Sequence, residues 1–146
     1  MEPSVSLFGP VDAILAPYIG YVLLGLLLAN IVARGIEFNQ IKSQAAEGGA
    51  EAITRHPLRV ATSFLLVVGT FYYMTVHQHG GVVFGTLVLA IFISDLFEFE
   101  SRKVEARREI DIERPKSAIA ASLLALLYIL YQTLFFVIAP VWNSII

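Results

Sequence analysis

Residues 82–103 read VVFGTLVLAIFISDLFEFESRK. Between Val82 and Ser94 no side chain ionises, and then Asp95 and Glu98 arrive while leucine and phenylalanine continue around them. The uncharged part is shorter than the ~20 residues that cross a hydrocarbon core as a helix. As a membrane span, this stretch must therefore include Asp95 and Glu98. The rest of the chain requires that it be a span.

The sequence has 146 residues, of which 57% are hydrophobic and 15% charged, with a mean hydropathy of +0.73. Long uncharged runs alternate with short charged blocks, whereas a soluble domain of this size spreads charge along its whole length. Ala13 to Ala33 is uncharged between Asp12 and Arg34, with Pro17 near its start. Val60 to Val76 lies between Arg59 and His77, behind Pro57, at the point where a helix N-terminus tolerates a missing N–H. Ala118 to Val141 follows Arg114-Pro115-Lys116. The pattern predicts an all-α polytopic membrane protein, a single domain over 1–146 with four transmembrane helices at about 13–33, 58–76, 82–99 and 118–141.

All 10 Lys and Arg residues fall between spans one and two (Arg34, Lys42, Arg55, Arg59) or between spans three and four (Arg102, Lys103, Arg107, Arg108, Arg114, Lys116). Short cationic loops stay in the cytoplasm, so both charged loops are expected inside and the two termini and the His77–Gly81 turn outside. So one-sided a bias argues against dual-topology multidrug exporters, and span one lacks their buried glutamate. The start, MEPSVSLFGPVDA, is acidic rather than basic, so an uncleaved first span in a multi-pass protein of the cell membrane is expected. Tyr18, Tyr21, Tyr72, Tyr73 and Trp142 fall where interfacial aromatics belong.

Zero cysteines remove thiol redox chemistry, disulfides and thiolate metal sites, and with them the four-helix quinone-linked disulfide oxidoreductases. A net charge of −2 and the absence of RNP, helix-turn-helix or phosphate-loop motifs give no reason to expect nucleic acid as a partner. His77 and His79 are weak metal candidates, because residues at i and i+2 share a side only in extended chain and a divalent site needs three or four ligands. His56 lies at the far end of span two, ~30 Å away along a helix. Glu2 and Asp12 are the outward carboxylates, and nothing in the spacing brings them to the turn. No histidine falls inside a span, so membrane di-haem chemistry is excluded. No cofactor is expected. Nor can a nucleophile, base and orienting group be assembled from the motifs, so the chain is not expected to be an enzyme.

IEFNQIKSQA (36–45) resembles FEFESRKVEA (97–106), matching Glu37, Phe38, Lys42 and Ala45 to Glu98, Phe99, Lys103 and Ala106. Each block leads to a proline that opens the next span, Pro57 or Pro115, and Tyr73 and Thr75 match Tyr131 and Thr133 at a constant offset from those prolines. The identities fit two copies of one helical hairpin related by an axis along the membrane normal, and they also fit coincidental loop composition. A helix break is expected at Glu47-Gly48-Gly49. Residues 101–114 read as a charge-balanced helical extension of span three, with Glu98–Arg102 and Arg107–Asp111 pairs at i,i+4. That balance suits a solvated face better than an anionic-lipid patch.

Depth singles out one constellation. Counted from Val82, Asp95 lies ~20 Å and Glu98 ~24 Å along a core of ~30 Å, Arg59 sits at a similar depth, and Arg34 stands at the foot of span one. An intramembrane ion-pair cluster is expected, with Asp95 meeting Arg59 or Arg34 and Glu98 sharing Arg102. It reads either as a structural tie or as a proton or ion relay.

The segments EGGAEAITRHPLRVATSFLLV (47–67), FYYMTVHQHGG (71–81), DLFEFESRKVEAR (95–107), ERPKSAIAASLL (113–124) and LFFVIAPVW (134–142) resemble an uncharacterised family of small haloarchaeal integral membrane proteins. The resemblance implies a prokaryotic cell membrane and four helices, with no assigned activity. Apart from the lipid bilayer, the expected partners are other membrane subunits or a second copy of the chain, helped by the small residues Ser117, Ala121 and Ala125 on span four. The function expected is a non-catalytic accessory, scaffold or oligomeric membrane component; the alternative is a small ion- or proton-coupled transporter or channel using Asp95 and Glu98.

Overall fold

The structure, a computed structural model, describes residues 10–145, without the side chains of residues 11 and 136–138. Glu2 lies outside the described residues. In chain order the elements are α1 (Pro10–Leu15), a 3₁₀ turn (Ala16–Tyr18), α2 (Ile19–Gly48), a second 3₁₀ turn (Gly49–Ala52), α3 (Pro57–Val76), α4 (Gln78–Arg107) and α5 (Lys116–Ile145). Among the described residues there is no strand. Four helical stretches are long and apolar enough to cross a membrane: Asp12–Ala52, Pro57–Val76, Gln78–Arg107 and Lys116–Phe135.

Helices α2 and α4 outrun the hydrocarbon span that hydropathy marks. Each runs on through its charged block, so Glu37, Ile41, Phe99 and Arg102 are buried between helices rather than left in loops. The first extension stops where it must. Gly49 adopts φ 69°, a left-handed conformation that costs a residue without Cβ little, and returns its N–H to Ala45 O. The second stops at Arg107, short of the sequence expectation; Glu109 takes φ 57° and the chain from Ile110 to Pro115 is irregular. Arg107 and Asp111 therefore share no helix and the expected i,i+4 pair is not available. Pro57 opens α3 behind an N-cap in which His56 Nδ1 accepts from Leu58 N–H at 3.1 Å.

Neighbouring helices pack in a ring: α2 on α3, α3 on α4, α4 on α5 and α5 on α2. Leu23, Leu27, Leu66, Phe84 and Ile129 fill its axis, fully buried, while Phe64, Phe71, Phe97 and Leu127 point outward. In lipid the outward residues need no cover, and close packing rather than water exclusion holds the inward ones together.

The link between α3 and α4 is a single residue, His77, with φ −139° and ψ 89°. The sequence suggested a turn over His77–Gly81, but Gly80 and Gly81 lie in α4 and allow it to close on α3. A Cβ on Gly81 would stand 2.5 Å from Met74 Cα. Tyr73, expected at the interface, is instead buried, with its ring edge-on to Phe84 at 6.3 Å. Tyr72 is half-buried and donates to Asp12 Oδ1 at 2.5 Å.

Equivalent contacts recur in the two hairpins. Adding 61 to the buried α2 residues Ile19, Leu23, Leu27, Asn30, Arg34 and Ile41 gives Gly80, Phe84, Val88, Ile91, Asp95 and Arg102, all buried in α4. For the second helices the matching offset is 59, pairing Arg59, Leu66 and Thr70 with Ala118, Ala125 and Ile129. The proline alignment is off by one because Pro57 is the first residue of α3 whereas Pro115 precedes α5. So Tyr73 does not correspond to Tyr131, which is exposed, and the inward small residues of α5 are Ala118, Ser122 and Ala125 while Ser117 faces out. A Cβ on Gly20 would lie 2.6 Å from Thr133 Cγ2, just as Gly81 abuts Met74. Both partners follow the same offsets, 20 to 81 and 74 to 133. The contacts exchange as they would under a two-fold axis relating the hairpins.

Candidate functional site

Polar side chains buried in the bundle gather towards the end remote from His77. Asn30, Arg34 and Glu37 occupy one face of α2 at i, i+4 and i+7, the spacing that stacks side chains along a helix. Arg59 and Thr62 come from the first turns of α3, and Asp95 from α4. Each is less than a tenth exposed.

Asp95 is the hub. Its Oδ1 pairs with Arg34 Nη1, and its Oδ2 accepts from Arg59 Nη1 at 3.1 Å and from Arg34 Nη2 at 3.3 Å. Arg59 turns its Nε to Glu37 Oε1 at 2.6 Å, an ionic contact rather than an aligned hydrogen bond. Glu37 in turn accepts from His56 N–H at 2.9 Å through Oε2, tying the cluster to the start of α3. Asn30 closes the other side: its Oδ1 accepts from Arg34 Nη2 at 2.7 Å, and its Nδ2 donates to Thr62 Oγ1 at 2.9 Å and Ser63 Oγ at 3.0 Å. Positive and negative charges alternate as Arg34, Asp95, Arg59, Glu37. Two cations and two anions leave no net charge, the condition under which ions persist at low dielectric.

Of the expected cluster, Asp95, Arg34 and Arg59 are brought together. Glu98 and Arg102 are not paired, and the reason is local. Glu98 is claimed by the next helix, its Oε2 and Oε1 accepting from Ser117 and Ala118 N–H at 2.8 and 3.3 Å, where the unsatisfied N–H groups and dipole of an N-terminus favour an anion. Arg102 goes to Glu105 instead, with Nε to Oε1 at 2.7 Å. Glu37 and Glu98 thus do the same work in the two hairpins, each fastening the start of the following helix. The difference is that Glu37 also meets an arginine, and at the position equivalent to Arg59 the second hairpin has Ala118.

A cavity of about 30 Å³ lies beside the hub, lined by Arg34, Glu37, Asp95, Glu98 and Arg102 among others. It has room for one water molecule, with charged groups to hold it on walls that Phe38, Ile41, Phe99 and Pro115 complete. Arg102 Nη1 is buried without a hydrogen-bond partner among the described residues.

The sequence reading missed Asn30 and used Glu37 only as a repeat marker. A signal existed for both, since Asn30 is the sole amide in the uncharged run of the first span and Glu37 stands one turn beyond Arg34. At the opposite end, His77 and His79 are exposed, and His79 lies in the first turn of α4. Among the described residues no three His, Asp or Glu side chains gather in a metal-binding arrangement.

A sequence profile described as Domain of unknown function (DUF7313) matches residues 2–146. No curated protein and no solved structure matches the chain.

Proposed function

The chain belongs to the DUF7313 family, and from its buried chemistry we propose that it is a non-catalytic membrane component: an accessory subunit, a scaffold or a self-assembling unit, and not an enzyme. The observation that carries this reading is the closure of the ionic cluster. Arg34, Asp95, Arg59 and Glu37 neutralise one another's charge and join α2, α3 and α4, so the groups most able to do chemistry are engaged in holding helices together. The protein resides in a prokaryotic cell membrane, of haloarchaeal type on the sequence resemblance, with both termini outside and the charged loops in the cytoplasm. Gentle solubilisation followed by identification of co-purifying proteins tests this. A stoichiometric partner, or a defined oligomer of the chain, is expected; a lone monomer that conducts ions in proteoliposomes would overturn it.

A second reading has one observation in its favour. The water-sized cavity touches Asp95, Glu98 and Arg102 together, so a bound water would bridge the hub to the charged end of α4, as a proton relay requires. On this reading Asp95→Asn abolishes a proton flux while stability holds.

A further inference from the structure

The repeat leaves a gap on one side of the ring. Between α3 and α4 the guanidinium of Arg59 reaches across to Asp95. At the equivalent place between α5 and α2 stands Ala118, whose side chain ends at Cβ. On that side of the ring a groove of about 210 Å³ opens between α2 and α5, lined by Arg34, Phe38, Ile119, Ser122 and Leu123 with Arg114 and Pro115 at one end.

Two of the residues that line the groove each carry a buried polar atom with no hydrogen-bond partner among the described residues, Ser122 Oγ and Arg34 Nε. The repeat explains the first. Ser63, the counterpart of Ser122, accepts from Asn30, but the counterpart of Asn30 is Ile91, which offers nothing. An unpaired hydroxyl or guanidinium N–H is unfavourable at low dielectric, so the site favours a ligand that supplies an acceptor. Arg114 adds an exposed cation, poised 5.7 Å from the centre of the Phe38 ring. Beside these, Ile119 and Leu123 are exposed and apolar, forming a wall continuous with the lipid-facing surface.

We propose that this groove binds the head region of an anionic phospholipid. The phosphate oxygens face the Arg114, Ser122 and Arg34 side chains, and the first carbons of a hydrocarbon chain lie along Ile119 and Leu123. The shared chemistry is a phosphate ester; the apolar wall selects a lipid over free phosphate, and the exposed Arg114 cation repels the ammonium of a choline headgroup. The charge-balanced loop is not the determinant here, because what recognises the lipid is a recess with unmet hydrogen bonds. Arg34 also belongs to the ionic cluster on which the proposed scaffold role rests, so the test leaves it in place and varies Ser122 and Arg114.

The test uses the full chain purified in detergent and reads thermal unfolding and native mass spectra with added phosphatidylglycerol, phosphatidylcholine or inorganic phosphate. Phosphatidylglycerol should raise the unfolding midpoint and survive as a bound adduct; the other two should not. The double variant Ser122→Ala, Arg114→Gln should fold with an unchanged midpoint in lipid-free detergent and hold phosphatidylglycerol about tenfold less tightly, the effect of ~1.4 kcal/mol. Equal stabilisation by phosphatidylcholine or by free phosphate would overturn the proposal, as would full retention of phosphatidylglycerol by the double variant. If that variant fails to fold, the three-ligand comparison on the unmodified protein decides the matter.

Discussion

Replacing Asp95 with asparagine keeps the shape of the side chain and removes the charge that two arginines share. Arg59 retains Glu37 at 2.6 Å, but Arg34 is left with amide oxygens alone, that of Asn30 at 2.7 Å and that of the new residue. The stranded charge is therefore on Arg34, which is 4% exposed. Breaking a buried pair by removing one partner costs about 3–5 kcal/mol. For a chain of this size each kcal/mol moves the unfolding midpoint by at least ~2 °C, so a fall of ~6 °C or more is expected. The assay is loss of helical circular dichroism on heating in detergent, checked by the fraction that stays monodisperse. A second substitution should discriminate between partners. Arg34→Gln in the Asp95→Asn background removes the stranded charge and should recover most of the loss, whereas Arg59→Gln strands Glu37 and should recover little. An unchanged midpoint in Asp95→Asn, or equal rescue by the two second substitutions, would refute the assignment of Asp95 as hub.

Three other outcomes are expected. Gly81→Ala should destabilise by about 1–3 kcal/mol by forcing α4 off α3, while Gly25→Ala, with nothing within 4 Å of the added Cβ, should be neutral or slightly stabilising in the same melts. Glu98→Ala should cost about 1 kcal/mol by uncapping α5, and Glu98→Gln, which keeps one acceptor oxygen for Ser117 N–H and loses the one that serves Ala118 N–H, should cost less. In the cysteine-free chain, a single cysteine at exposed Gln78 should react with an impermeant maleimide in intact cells and one at exposed Ser43 should not; the reverse pattern would invert the orientation.

Helix number was legible because length and hydropathy are one-dimensional properties. So was the need for a cation near Asp95, since depth follows from residue count alone. The identity and number of its partners were not, because whether Arg34, Arg59 or both reach Asp95 depends on how the helices rotate against one another. Glu98 shows the limit most plainly. Within its own helix Arg102 is a natural partner, yet the carboxylate goes to N–H groups of Ser117 and Ala118, which only the irregular path from Arg108 to Pro115 brings within reach. The glycines after His79 were misassigned for a related reason: a Gly-Gly pair signals a turn in sequence, but the same absence of Cβ also serves close helix approach, and only packing distinguishes the two.

Arg34 and Asp95 occupy equivalent positions in the two hairpins and touch each other. In a symmetric assembly of identical units, a residue on the two-fold axis meets its own copy. A pair of identical hairpins would set arginine against arginine there, or aspartate against aspartate, and neither is tolerable in a buried setting. The present contact is possible only between halves that differ. It therefore works as a rule of recognition: when several chains enter a membrane together, a first hairpin repels another first hairpin at this position and accepts a second one.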